Sequence, residues 1–200
     1  MRTRGPVPVY VVIGILCGSA QSGSMTENDQ QEYTALRSTI RERGTTRVWI
    51  FVIGIVAWAP VLVATAGLAA PPAGMLVPLL VLASAFEAVF ALHIGVERIG
   101  RYLQVFYEED ARWETVAMTF GRPSGTPTTD ALFSVPFALA AAINIVPGLL
   151  SGPTREELIF VAGAHALFLL RIVVARAAAG RQRAIDLERF KAMKREMSDK

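Results

Sequence analysis

The sequence predicts an all-α, polytopic membrane protein: a four-helix transmembrane bundle with cytoplasmic amphipathic helices attached. Three observations predict it. Of 200 residues, 52% are hydrophobic and only 18% are charged, a balance foreign to ordinary soluble domains. The apolar residues gather in four blocks close to the ~20 residues that a helix needs to cross a ~30 Å hydrocarbon core. Lysine and arginine collect in the segments on one side of those blocks, as they do on the cytoplasmic side of membrane proteins. The lone cysteine, Cys17, excludes an internal disulfide and any cysteine-rich metal site.

Residues 1–24 stand apart. MRTRGPVPVYVVIGILCGSA has the basic start, apolar run and small-residue ending of a signal peptide. Cleavage there would leave Arg37–Arg47 outside, against the charge rule, and as a fifth span the run is too short. Translation beginning at Met25 removes both conflicts and is the expectation.

Residues 25–47 are expected to form a cytoplasmic amphipathic helix, with Tyr33, Leu36 and Ile40 on one face. Arg37, Arg41 and Glu32 lie opposite, suited either to the inner membrane surface or to a neighbouring helix. Gly44 is placed to end it. The first span, 48–70, has no charge and carries Trp49, placed as an interfacial anchor, and Trp58. Pro71-Pro-Ala-Gly74 turns the chain into the second span, 73–96. The third runs over 131–150 with Pro136, Asn144 and Pro147, and the fourth over 158–175 with His165 and Arg171. Thr154 and Glu157 form a capping box at the entry to the fourth. The whole bundle occupies 48–175.

Between the second and third spans, 97–130 reads as a cytoplasmic helix and a linker. Ile99, Leu103, Phe106, Asp110, Trp113, Ala117 and Phe120 repeat at 4-3-4-3-4-3, an amphipathic stripe. Its apolar members Ile99, Leu103, Phe106, Trp113 and Phe120 are expected to pack on the N-terminal or C-terminal helix, or to bind a partner. Glu108, Glu109, Asp110 and Glu114 read as a solvated face rather than a cation site. GRPSGTPTTD at 121–130 is a linker. The basic tail, 176–200, is expected to continue as a helix with Asp186–Arg189 and Glu188–Lys191 pairs, attracted to anionic lipid headgroups.

Lys and Arg number four in 25–47, four in 97–130 and nine in 171–200, while Arg155 stands alone in the outer turns. Both termini are therefore expected in the cytoplasm. Arginine's dominance over lysine suits a GC-rich bacterial source, and so the inner membrane.

The polar residues inside spans then acquire depths. Glu87 and Arg171 both lie ~20 Å below the outer boundary at ~1.5 Å per residue, which predicts a buried contact between parallel spans. Snorkelling of Arg171 to the cytoplasmic surface is the competing expectation. Asn144 and His165 both lie ~10 Å down, which predicts a hydrogen bond. His93 falls near the inner boundary, within reach of Glu97 and too far from His165 to share a haem or metal. No cofactor or metal is expected.

The segments EYTALRSTIRERGTTRVWIFVIG and VERIGRYLQVFYEEDARWE resemble a loose group of small uncharacterised bacterial inner-membrane proteins. In these a Tyr-x-x-Leu-Arg helix precedes the first span and an Arg-Ile-Gly-x-Tyr helix follows the second. The likeness covers roughly residues 32–114 and implies no activity, and it agrees with a start at Met25.

No catalytic triad, phosphate loop, zinc motif or dinucleotide fingerprint is present, and no basic-aromatic nucleic-acid module. The expectation is a non-enzymatic accessory or scaffold subunit of a membrane complex. Its partners would be the bilayer, anionic headgroups through the tail, and a protein or a second copy of itself. The alternative is a small oligomeric transporter or proton-conducting bundle using Glu87, His93, His165 and Arg171.

Overall fold

A computed structural model describes residues 26–68, 70–108 and 130–199. The doubtful segment 1–24, the stripe members Asp110, Trp113, Ala117 and Phe120, and most of the 121–130 linker lie outside the described residues. Four helices account for nearly everything else: α1 (Glu27–Gly67), α2 (Leu76–Phe106), α3 (Asp130–Leu150) and α4 (Arg155–Ser198).

Helix α1 begins at a capping box: Thr26 Oγ1 accepts from the Asp29 amide at 3.2 Å, and Asp29 Oδ2 accepts from the Thr26 amide at 3.1 Å. The expected stop at Gly44 does not occur. The helix runs unbroken for 41 residues, about 60 Å. A mid-helix glycine costs only ~1 kcal/mol, whereas stopping there would strand the backbone groups of two helix ends. The amphipathic helix and the first apolar run are thus one rod.

Pro71 starts a 3-10 turn, Pro72–Met75, whose Gly74 amide donates to the Pro71 carbonyl at 2.7 Å. It feeds directly into α2. That helix passes beyond its apolar run and stops at Phe106, where Lys194 Nζ donates to the Val105 carbonyl at 2.7 Å. Between α3 and α4, Gly152 takes a left-handed φ of 69°, which glycine adopts without penalty. The Thr154–Glu157 capping box then opens α4: Glu157 Oε2 accepts from the Thr154 amide at 2.9 Å, and Thr154 Oγ1 accepts from the Glu157 amide at 3.3 Å. Helix α4 continues for 44 residues, carrying the apolar run and the basic tail as one element.

Helix α1 packs along α2, α2 packs on α4, and α4 on α3. At the centre each helix contributes one phenylalanine. Phe137 of α3 stands edge-on to Phe51 of α1 (5.6 Å between centroids) and to Phe86 of α2 (5.5 Å), and Phe86 meets Phe168 of α4 at 5.9 Å. Such edge contacts add ~0.5–1.5 kcal/mol each beyond the area they bury. Outside this core the apolar helices turn Val56, Val63, Ile143 and Leu167 outward. All four helices are long and apolar enough to cross a membrane, and a continuous apolar exterior is what water-soluble monomers avoid.

At one end, α1 before Arg47, α2 after His93 and α4 after Arg176 run on together as a three-helix extension. Tyr33 packs on Tyr107, and Tyr102 packs on Phe106 and Phe190.

Gly54 on α1 lies directly against Ala85 on α2, so a Cβ at 54 would collide with the Ala85 methyl. Gly54→Val should lower stability in detergent by ~1–3 kcal/mol, the usual cost of overpacking. Ala85→Gly in the same chain should restore part of the loss in a thermal melt, whereas Ala85→Gly alone should not stabilise.

Candidate functional site

The most buried polar group is Asn144 of α3, with no exposed surface. Its Oδ1 accepts from Trp58 Nε1 of α1 at 3.0 Å. Its Nδ2 donates to the Met75 carbonyl at 2.8 Å and to His165 Nε2 of α4 at 2.9 Å. His165 Nδ1 lies 2.8 Å from the Val161 carbonyl. A carbonyl only accepts, so Nδ1 carries the proton and Nε2 is the acceptor. The amide's two donors and its oxygen are all engaged, and the network is complete with a neutral imidazole. Depth along the helices had paired Asn144 with His165; Trp58, which supplies the third arm, carried no sequence signal beyond being aromatic.

Glu87 and Arg171 also meet: Arg171 Nη2 is 2.8 Å from Glu87 Oε2. The expected burial is corrected, however, because the side chains are 48% and 42% exposed. Both lie on the outer surface that α2 and α4 share, with the Arg171 guanidinium over the Phe90 ring at 5.5 Å. The inward positions at that level are held by Phe86, Val89 and Phe168, and their bulk leaves the charged residues the outward azimuth.

His93 belongs to a third place. Arg47 Nη1 donates to its Nδ1 at 2.7 Å, which leaves Nε2 facing Glu97 at 3.7 Å. From there a charged cluster ties α2 to α4. Glu97 receives two bonds from Arg183, at 2.7 and 2.9 Å, and lies 3.7 Å from Arg101. Asp186 receives Gln182 at 2.8 Å, Arg98 at 3.4 Å and Arg101 at 3.5 Å. Arg101 and Asp186 are almost fully buried, a placement that charged side chains take only when paired. On the other side of the extension Arg37 reaches the buried Glu108 at 3.3 Å. The Tyr102 hydroxyl donates to Glu32 at 3.0 Å.

Sequence reasoning missed this cluster. The expected Asp186–Arg189 pair is replaced by Asp186–Arg98 and Asp186–Arg101, because Asp186 faces α2; Glu188–Lys191 does form, at 3.3 Å. The i, i+4 spacing of Glu97 and Arg101 was the available signal. Of the described stripe members, Leu103 is fully buried, Ile99 is half-buried, and Phe106 lies against Tyr102 of its own helix and Phe190 of α4. Trp113 and Phe120 lie outside the described residues. No three His, Cys, Asp or Glu side chains come together as a metal-holding group among the described residues.

Comparison with known proteins returns no matching family model, no matching curated protein and no matching solved structure.

Two outcomes follow from these geometries. Asn144→Leu orphans the Trp58 indole N–H, the Met75 carbonyl and His165 Nε2 together, and should cost on the order of 3 kcal/mol, since each stranded buried group costs ~1–3. Trp58→Phe, which removes one arm, should cost ~1 kcal/mol by the same denaturation measurement.

Asp186 lies on α4 beyond the apolar run ending near Ala175. Burial pushes its carboxyl upward, but bonds from Gln182 and Arg98 and the charges of Arg98 and Arg101 outweigh burial and hold it below the usual carboxylate value. A depressed carboxyl stabilises the fold fully above the unfolded value of ~4 and stops doing so as pH falls through the folded one. Thermal stability should therefore drop on acidification below about pH 4. Asp186→Asn should lose ~3 kcal/mol at neutral pH and flatten that dependence, because it leaves the buried Arg101 only its 3.7 Å contact with Glu97. Asp186→Leu with Arg101→Met should cost less than Asp186→Asn alone.

Proposed function

We propose that the chain is a non-enzymatic, multi-pass protein of a bacterial inner membrane that serves as an accessory or scaffold subunit, holding a partner protein on its charged extension. The carrying observation is that extension itself. Three helices project together from the apolar bundle: the buried Arg101–Asp186 contact and the paired Glu97–Arg183 bonds fix α2 to α4, and the Tyr102–Glu32 hydrogen bond ties α1 to α2. On its outer side α4 exposes Ile185, Met193 and Met197 among charged residues. Apolar side chains on an otherwise solvated helix suit a protein contact, and methionine adapts to irregular partner surfaces.

The basic residues gathered at that end favour a cytoplasmic extension with both termini inside. Arg176 and Arg181, exposed at its base, suit anionic headgroups. The transport reading gains less. Glu87 with Arg171, His165 with Asn144, and His93 with Arg47 form three separate clusters. One faces outward and one closes on itself in the core, so they do not string into a path.

A photo-crosslinking residue placed in turn at Ile185, Met193 and Met197, in native membranes, tests the proposal. A discrete adduct with a different protein is expected from at least one of them and none from Val56 in the apolar belt. Absence of any protein adduct from all three, with a native mass accounted for by this chain alone, would overturn it.

A further inference from the structure

The outward ion pair has a consequence that rests on the membrane reading. Glu87 and Arg171 are the only Asp, Glu, Lys or Arg residues between Leu76 and Val96 on α2 and between Leu158 and Ala175 on α4. Around them the shared surface is apolar, with Val77 and Leu80 exposed on α2 and Leu167, Leu170 and Val174 on α4. In hydrocarbon, a carboxylate and a guanidinium that each keep nearly half their surface open are costly. One bond at 2.8 Å leaves most of the guanidinium donors and carboxylate lone pairs without partners. Among the described residues the chain itself adds the Phe90 ring beneath Arg171 and no second ion pair to either group.

We propose that this α2/α4 face is the interface with a second copy of the chain, related by a twofold axis parallel to the helices. The pair is self-complementary under that operation. Glu87 and Arg171 lie side by side at one depth, so rotation by half a turn sets each Glu87 opposite the other chain's Arg171. Four charges then alternate around a ring, each carboxylate between two guanidiniums, and the apolar residues on either side close over them. The interface is isologous and stops at two copies. Ser84 and Ala91 are exposed on α2, one turn to either side of Glu87. Small side chains there let two helix backbones approach closely, as helix contacts inside membranes favour.

The test uses the full chain in its native membrane, with Cys17→Ser as background and one cysteine introduced in each copy. Oxidation of membranes that hold two differently tagged single-cysteine copies should link Ser84→Cys to Leu167→Cys and Ala91→Cys to Val174→Cys, exposed positions that face each other across the interface, and should link none of them to Val56→Cys or Val146→Cys on the outer surfaces of α1 and α3. In the Ser84→Cys and Leu167→Cys copies, Glu87→Arg or Arg171→Glu alone should reduce the dimer yield at least tenfold, and the two together should restore it. Failure of positions 84 and 91 to crosslink to α4, or equal crosslinking at 56 and 146, overturns the proposal, as does a disulfide from 84 to a different protein in place of the second copy. Carbonate extraction of the same membranes separates the two readings. A chain that stays in the pellet without dimerising defeats the interface alone, and one released into the supernatant defeats the membrane reading with it.

Discussion

The amide of Asn144 joins three other parts of the chain through four atoms' worth of polar surface. It holds α1 by the Trp58 indole, the turn between α1 and α2 by the Met75 carbonyl, and α4 by His165. Apolar packing around the four phenylalanines is strong but has little directional preference, since neighbouring turns of a helix offer similar surfaces. A fully buried amide is different, because slippage of any one helix by a turn would leave a donor or acceptor unpaired at ~1–3 kcal/mol. Asn144 therefore sets the axial register of the bundle, and the phenylalanines fill the space that this register leaves.

The extension achieves the same end by other means. Its helices lie beyond the apolar layer, where hydrogen bonds between neutral groups would compete with water. Here the fixing contacts are ionic: Arg101 stands between Glu97 and Asp186, and Arg183 grips Glu97 with two nitrogens. A buried pair of this kind gives little net stability against an apolar substitute. What it gives is intolerance of wrong pairings, since any rotation of α4 would carry Asp186 away from Arg98 and Arg101 and leave its carboxylate with Gln182 alone. The aromatic layer of Tyr102, Phe106 and Phe190 supplies the cohesive part.

Position along the helix axis was legible in the sequence, and position around it was not. Uncharged runs and the Thr154 capping box located the helices, and counting residues from each boundary matched Asn144 with His165 and Glu87 with Arg171. All of these depend on a rise per residue that no neighbour alters. Orientation about the axis depends on which other helices are present. Glu87 was expected to face inward because a lone carboxylate should; Phe86 and Val89 occupy that side instead. The stripe of Ile99, Leu103 and Phe106 was legible as amphipathic, but its spacing did not choose between the N-terminal helix, the C-terminal helix and a partner; Phe106 meets Phe190 of α4. Asp186 was given to Arg189 three residues away for the same reason: a local pair is visible in sequence, whereas a contact with Arg98 and Arg101 exists only after folding. Gly44 failed differently, since a break signal of ~1 kcal/mol competes against two strongly determined helical segments and loses.

The continuity of α1 and α4 gives these separate contacts a common consequence. Helix α4 carries His165, Arg171, Arg183 and Asp186 without a break from Arg155 to Ser198. An α-helix resists twisting because every turn shares hydrogen bonds with the next, so the rotation of α4 about its own axis is a single variable. His165 fixes it from the core, and Asp186 fixes it from the extension. Arg171 lies between the two anchors, and its outward azimuth follows from them rather than from Glu87, which it meets beside the Phe90 ring. A contact strong enough to turn the extension would have to carry Arg171 and His165 with it. The core amide and the outward ion pair therefore respond together to whatever engages the charged end.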